Sequence, residues 1–216
     1  MLTIYAIPIS LYCAKLRILL RHKKVAWKEI PPPGGYGSAE YKSIIPSGNL
    51  PALDEDGLLI GDSEAIAEYL NEKYPDPAML PGDIAERAAI RELSRFHDTR
   101  LEPEVRKLFP LIDPEKRDVE IVAAQSAAIS ERLVQFGQLI IQKHLDNNRG
   151  LMLGDCGYPP TFTWLDTLTR ILEFKLEWPE PVRSYRDRIS KIEAVRDELA
   201  SYQPFLHNWL KQRLSP

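Results

Sequence analysis

One stretch near residue 50 constrains this chain more than any other: Ser47-Gly48-Asn49-Leu50-Pro51-Ala52-Leu53-Asp54-Glu55-Asp56-Gly57-Leu58-Leu59-Ile60-Gly61-Asp62-Ser63-Glu64-Ala65-Ile66. The apolar runs Ala52-Leu53 and Leu58-Leu59-Ile60 flank Asp56-Gly57, a dipeptide that supplies the positive φ angles of a tight turn, so the spacing predicts an antiparallel hairpin. Proline is tolerated in a sheet at a strand start or edge, which makes Pro51 the opening of the first strand. The isomer of the Leu50-Pro51 bond then sets where the backbone N–H and C=O of Leu50 point. After the second strand, Ile66, Tyr69 and Leu70 recur at helical spacing, with Asp62 or Ser63 as the N-cap.

Outward backbone groups beside the positive end of a helix suit a small zwitterionic peptide. Asp62 would pair with its ammonium, and the Ser63 hydroxyl and amide would take its carboxylate. Asp and Ser are also ordinary caps, and that plain structural role stands beside the ligand-binding one.

The rest of the chain agrees with a folded protein handling a small molecule. In 216 residues, 44% are hydrophobic and 27% charged, enough for one large or two small domains. A formal charge of −3 with scattered Lys and Arg argues against nucleic acid as a partner. No apolar run approaches the ~20 residues of a spanning helix, and Met1-Leu2-Thr3 leads directly into a strand, so the expectation is a cytoplasmic protein with no membrane partner. Cys13 and Cys156 lie far apart, and His22, His97, His144 and His207 show no ligand spacing, so no metal site is expected.

Taken in order, residues 3–6 read as a strand, residues 11–20 as a helix capped by Ser10, and residues 25–30 as a second strand reached by a crossover. A thiol held at Ser10 would meet both a hydroxyl and the positive end of a helix dipole, which favour the thiolate. Residues 31–37, rich in Pro and Gly, form a loop. Tyr74-Pro75-Asp76-Pro77 ends a helix and Pro81-Gly82 closes a linker, giving a first domain over 1–76, a linker over 77–82 and an all-helical domain over 83–216. In that second domain Asp83 is expected to cap a helix running to about Phe109, and Asp113-Pro114 to start another reaching about His144, stopped by Asn147-Asn148-Arg149-Gly150. Pro204 is expected to open a short tail helix.

The strand and helix at the start, then Ser-Gly-x-x-Pro-Ala-Leu, the Asp-Gly turn and Asp-Ser-x-Ala-Ile, resemble the glutathione transferase superfamily. The departures are Asp62 where Glu is usual, Asn49 where Lys or Gln is frequent, and Ile45 where Asn often stands. The resemblance implies a thioredoxin-like α/β half followed by an all-α half. It implies that Leu50, before a cis Pro51, pairs with the cysteinyl part of glutathione, while Asp62 and Ser63 hold the γ-glutamyl end. Matching Tyr5 and Arg17 places Ser10 where the Ser-type classes, the theta and zeta groups among them, activate the glutathione sulfur. Cys13 is the alternative, because Cys-type classes carry a cysteine in the same turn. Tyr36, Lys42 and Asn49 are candidates for the glycyl carboxylate.

The wall for a second, apolar substrate is then expected from Ile7, Pro8, Leu11 and Tyr12 together with Phe96, Arg100 and Phe109 of the first long helix. Thr163-Trp164-Leu165-Asp166 resembles the buried capping box of the family's sixth helix, a structural role. The resemblance further implies a two-fold dimer with glutathione as co-substrate. The activity expected is transfer of the glutathione thiolate to a small electrophile in detoxification. Glutathione-dependent isomerisation, dehalogenation or ether cleavage, and a non-catalytic scaffold, are the alternatives.

Overall fold

The computed structural model of the protein describes residues 1–145 and 149–214. Asn147 and Asn148, expected to stop a helix, lie outside the described residues.

The first half contains strands β1 (Leu2–Tyr5), β2 (Lys28–Ile30), β3 (Ala52–Glu55) and β4 (Leu58–Ile60), with helices α1 (Leu11–His22), α2 (Ala39–Ile44) and α3 (Ser63–Lys73). The sheet order is β2-β1-β3-β4. β2 runs parallel to β1, as the α1 crossover requires, and β3 pairs antiparallel with both β1 and β4, bringing Ile4 opposite Leu53 and Leu53 opposite Ile60. Asp56 and Gly57 both take positive φ, +52° and +93°, so the predicted tight turn joins β3 to β4. The Leu50-Pro51 peptide bond is cis. The second strand is shorter than the predicted 25–30, with only residues 28–30 paired.

The second half is helical: α4 (Ile84–Phe96), α5 (Glu102–Arg106), α6 (Val119–Gln142), α7 (Tyr158–Ile171), α8 (Glu180–Ser190) and α9 (Glu193–Leu214). Asp83 and Glu86 form a reciprocal capping box at the start of α4, a signal fully present in the sequence. The expected single helix to Phe109 is instead interrupted by a π turn, His97–Leu101, and ends at Arg106. Pro103 has no N–H for the carbonyl of Thr99, and the widened turn just before it absorbs the mismatch.

Other boundaries also differ. Asp113 caps only a short 3₁₀ turn, Pro114–Lys116, and the long helix α6 starts at Asp118, whose carboxylate accepts the N–H groups of Glu120 and Ile121. Pro204 lies inside α9 rather than opening a separate helix. Tyr202 and Leu206, at 1% and 4% exposure, bury their side chains on either side of it, and that packing carries the helix through one missing hydrogen bond.

Thr163 and Asp166 are not a helix cap. Both lie inside α7, which begins earlier because Pro159 and Pro160 are tolerated in its first turn. The Thr163 hydroxyl donates to the Pro159 carbonyl, and Asp166 pairs with Arg186 on the surface. The buried acid of this region is Asp155, wholly inaccessible, which accepts the Met152 N–H at 2.9 Å and the Tyr185 hydroxyl at 2.7 Å.

Candidate active site

A cleft of about 780 Å³ opens between the sheet half and the helical half. The starts of α1 and α3 both border it, so the positive ends of two helix dipoles converge on one space. Ser10 is the N-cap of α1: its Oγ accepts the Cys13 N–H at 3.3 Å, and the residue lines the cleft.

At the start of α3, Oδ1 of Asp62 accepts the N–H groups of Glu64 and Ala65 at 3.0 and 2.9 Å. Asp62 therefore caps the helix with one oxygen, and among the described residues the other has no hydrogen-bond partner. Ser63 stands beside it at the cleft edge, and among the described residues its hydroxyl has no partner. Leu50 also borders the cleft, and among the described residues neither its N–H nor its C=O has a hydrogen-bond partner. Backbone groups at a largely buried residue are nearly always paired, so this vacancy has the character of a binding edge. Pro51 is buried behind Leu50, while Asn49 and the exposed Tyr36 line the same end. Lys42 stays outside, with its aliphatic chain against Gly48.

Cys13 does not share the position of Ser10. It is 1% exposed, and burial pushes its thiol up despite the hydrogen bond from the Ser10 region and the nearby Arg17 guanidinium. Ser10 lines the cleft and Cys13 does not, so the geometry favours Ser10 over the alternative of Cys13.

The opposite wall only partly matches the expected residues. Ile7, Leu11, Tyr12 and Phe109 do line the cleft. Pro8 points to solvent, Arg100 lies on the exposed face of the π turn, and Phe96 stacks on Phe136 at 6.1 Å within the helical core. In their place stand Arg95, Asp98, Glu102 and Arg106, with Trp164 and Trp209 from later helices. The first set recurs at spacings of three and four, one face of a helix, and that signal was present in the sequence. No local signal marks the two tryptophans.

This wall is strongly polar beneath its aromatic surface. The Tyr12 hydroxyl donates to Glu102 at 3.1 Å, and burial, reinforced by the carboxylates of Glu102 and Asp98, holds the phenol protonated. Arg106 pairs with Glu102 and lies over the rings of Tyr12 and Phe109. Asp98 accepts from Lys15 at 2.8 Å and contacts His97 at 2.8 Å. Burial alone would raise the Asp98 carboxyl, but these partners outweigh it and hold it at about 2. No cluster of possible metal ligands occurs among the described residues.

Residues 4–78 match the family described as glutathione S-transferase, N-terminal domain. Over 80 residues the chain is 41% identical to glutathione S-transferase Z1 of Arabidopsis thaliana, covering 35% of this chain and 36% of that protein. Over 94 residues it is 35% identical to the maleylacetoacetate isomerase of Rattus norvegicus, covering 41% and 44%. Over residues 4–78 the chain is therefore similar to the glutathione transferase superfamily. The matched stretches span well under half the length of these two curated relatives. The glutathione transferase fold extends over the whole chain: a Tau-class glutathione S-transferase of mango, Mangifera indica, superposes with a TM-score of 0.77 at 18% identity, covering 95% of this chain and 97% of that one.

Proposed function

We propose that this chain is a glutathione-dependent enzyme that binds the tripeptide along its first half and presents the sulfur at Ser10. The carrying observation is the Ser10 side chain at the start of α1, in one cleft with the unpaired backbone of Leu50 and the acid and hydroxyl of Asp62 and Ser63. Leu50 would bond the cysteinyl backbone, Asp62 the ammonium, Ser63 the γ-glutamyl carboxylate, and Tyr36 or Asn49 the glycyl end. The thiol proton leaves to solvent, and Ser10 donates a hydrogen bond to the resulting thiolate. In conjugation the sulfur forms a bond to an electrophilic carbon and the leaving group departs with its electron pair. The aromatic surface of Phe109, Trp164 and Trp209 would hold the electrophile.

A second reading, isomerisation, is favoured by Arg95 and Arg106 on the facing wall, which suit an acidic unsaturated substrate, and by the identity to a protein named maleylacetoacetate isomerase. There the thiolate adds to one carbon of a double bond, the remaining single bond rotates, and the thiolate is expelled unchanged. A glutathione-binding domain over 1–76, a linker over 77–82, a helical domain over 83–216, a cytoplasmic location, a role in detoxification and a two-fold dimer go with this proposal.

Thiolate absorbance of bound glutathione, titrated with pH, tests the common step. A thiol acidified relative to free glutathione is expected, and an unshifted titration would remove the enzymatic reading. Consumption of glutathione in stoichiometric step with substrate marks conjugation; its conservation during turnover marks isomerisation.

A further inference from the structure

The turn that carries Ser10 is held both by its own helix and from the far end of the chain. Residues 7–9 offer three successive carbonyls, and each accepts a bond from a side chain. Arg17 of α1 reaches the carbonyls of Ile7 and Pro8 at 3.2 and 3.4 Å, with its guanidinium fixed between Glu29 and Glu198. The carbonyl of Ile9, the residue bonded to Ser10, accepts at 2.7 Å from the hydroxyl of Tyr202, which lies in α9 and is separated from it by 193 residues. The same hydroxyl accepts the indole N–H of Trp164 at 2.7 Å.

The direction of both bonds is fixed by chemistry. An indole only donates and a carbonyl only accepts, so the phenol must take one hydrogen bond and give the other. Tyr202 and Trp164 are each 1% exposed, so the bond between them is shielded from water, while the Ile9 carbonyl lies at the edge of the cleft. Trp164 in turn packs on Phe109 and Trp209, with ring centroids at 4.4 and 5.6 Å, and these rings form the aromatic wall of the cleft. A continuous line of contacts therefore runs from that wall to the peptide unit that aims Ser10.

We propose that Tyr202 is a positioning residue for Ser10, holding the Ile9 peptide so that the Ser10 hydroxyl faces the glutathione sulfur. This rests on the glutathione reading above. A donor stabilises a developing anion only while its geometry is fixed beforehand, and the Ile9–Ser10 peptide plane is set by the carbonyl that Tyr202 anchors. The cap bond from Cys13 N–H orients the Ser10 side chain only relative to α1, so it does not fix the turn against the helical half.

The test is Tyr202→Phe, which keeps the ring and deletes the hydroxyl. Three quantities are followed: glutathione affinity by calorimetry, the pH titration of the bound thiolate by ultraviolet absorbance, and amide exchange of the peptide spanning residues 7–13. The expected result is affinity within about twofold of the unmodified protein and a bound thiol with an apparent pKa higher by about one, hence about tenfold less thiolate below it. Faster exchange is expected in residues 7–13. Because Tyr202→Phe leaves the Trp164 N–H buried without a partner, the double variant Tyr202→Phe/Trp164→Phe is the alternative if the single one does not fold, with the same thiol shift expected.

An unchanged thiol titration in a folded variant overturns the proposal, whatever happens to thermal stability. If the unmodified protein itself binds glutathione without acidifying it, the functional reading fails and this proposal with it. Exchange of residues 7–13 then still reports whether Tyr202 holds the turn, which separates the two failures.

Discussion

The ammonium of Lys15 lies 2.6 Å from Oε2 of Glu64, the residue that follows Ser63 at the start of α3. It also lies 2.8 Å from Asp98 in the π turn, so one buried cation joins α1, the start of α3 and the helical half. Burial alone would lower its pKa, but Asp98 and Glu64 outweigh that and hold it above the ordinary lysine range. Replacing one member of such a group strands buried charge: Lys15→Met is expected to cost roughly 3–5 kcal/mol in denaturant unfolding. The triple change with Glu64→Gln and Asp98→Asn should recover most of that loss. A single variant as stable as the parent would mean that the network contributes nothing net.

Ser10→Ala should cost only ~1 kcal/mol of stability as a lost cap. Its effect on turnover should be far larger, roughly 100-fold in kcat with glutathione affinity nearly intact, since a donor to the developing anion is gone. Steady-state kinetics with glutathione and an activated aryl halide read both values, and unchanged kcat would exclude Ser10 as the thiolate donor.

Asp62→Asn separates the two roles of that side chain. Asn caps a helix as well as Asp, so melting should be unaffected. Loss of the charge proposed to meet the ammonium should weaken glutathione by ~1.5–3 kcal/mol, roughly 10- to 150-fold in Kd by calorimetry. An unaltered Kd would leave Asp62 with its capping role alone.

Asp98 gives a pH signature. Its folded carboxyl sits at about 2 against an ordinary 3.8, so the unfolded chain takes up the proton first as pH falls. The stabilisation is complete above about pH 5 and fades between about pH 4 and 2, amounting to about 2 kcal/mol. Burial raises Asp155 and Glu198, whose contributions run the other way, so the diagnostic is the difference between the parent and Asp98→Asn. That difference should shrink as pH drops from 5 to 2, and a constant difference would refute the assignment.

Asp155 and Asp166 should behave oppositely under alanine substitution. Asp155 is fully buried, with bonds to Met152 N–H and the Tyr185 hydroxyl, so Asp155→Ala orphans buried groups and should cost about 3 kcal/mol or more. Asp166 is 43% exposed at the side chain, and its pairing with Arg186 should be worth less than about 1 kcal/mol. Thermal melts of the two variants decide it, and the reverse order would restore Asp166 to the structural role that its sequence context suggests.

The sequence by itself determined the features that act over a few residues. The Asp56-Gly57 turn, the caps at Ser10 and Asp83, a third cap narrowed to Asp62 or Ser63, and the strand opened by Pro51 follow from backbone stereochemistry and local hydrogen bonding, and these also place one side of the cleft. Only the tertiary structure decided the other side. Whether Cys13 or Ser10 faces the cleft, that Pro103 is absorbed by a π turn, that Phe96 turns into the core, and that Trp164 and Trp209 form a wall all depend on what arrives from distant helices. Side-chain burial and long-range pairing such as Lys15 with Asp98 or Ile9 with Tyr202 gain their energy only when the two halves dock, and no interaction within a helical turn carries that information.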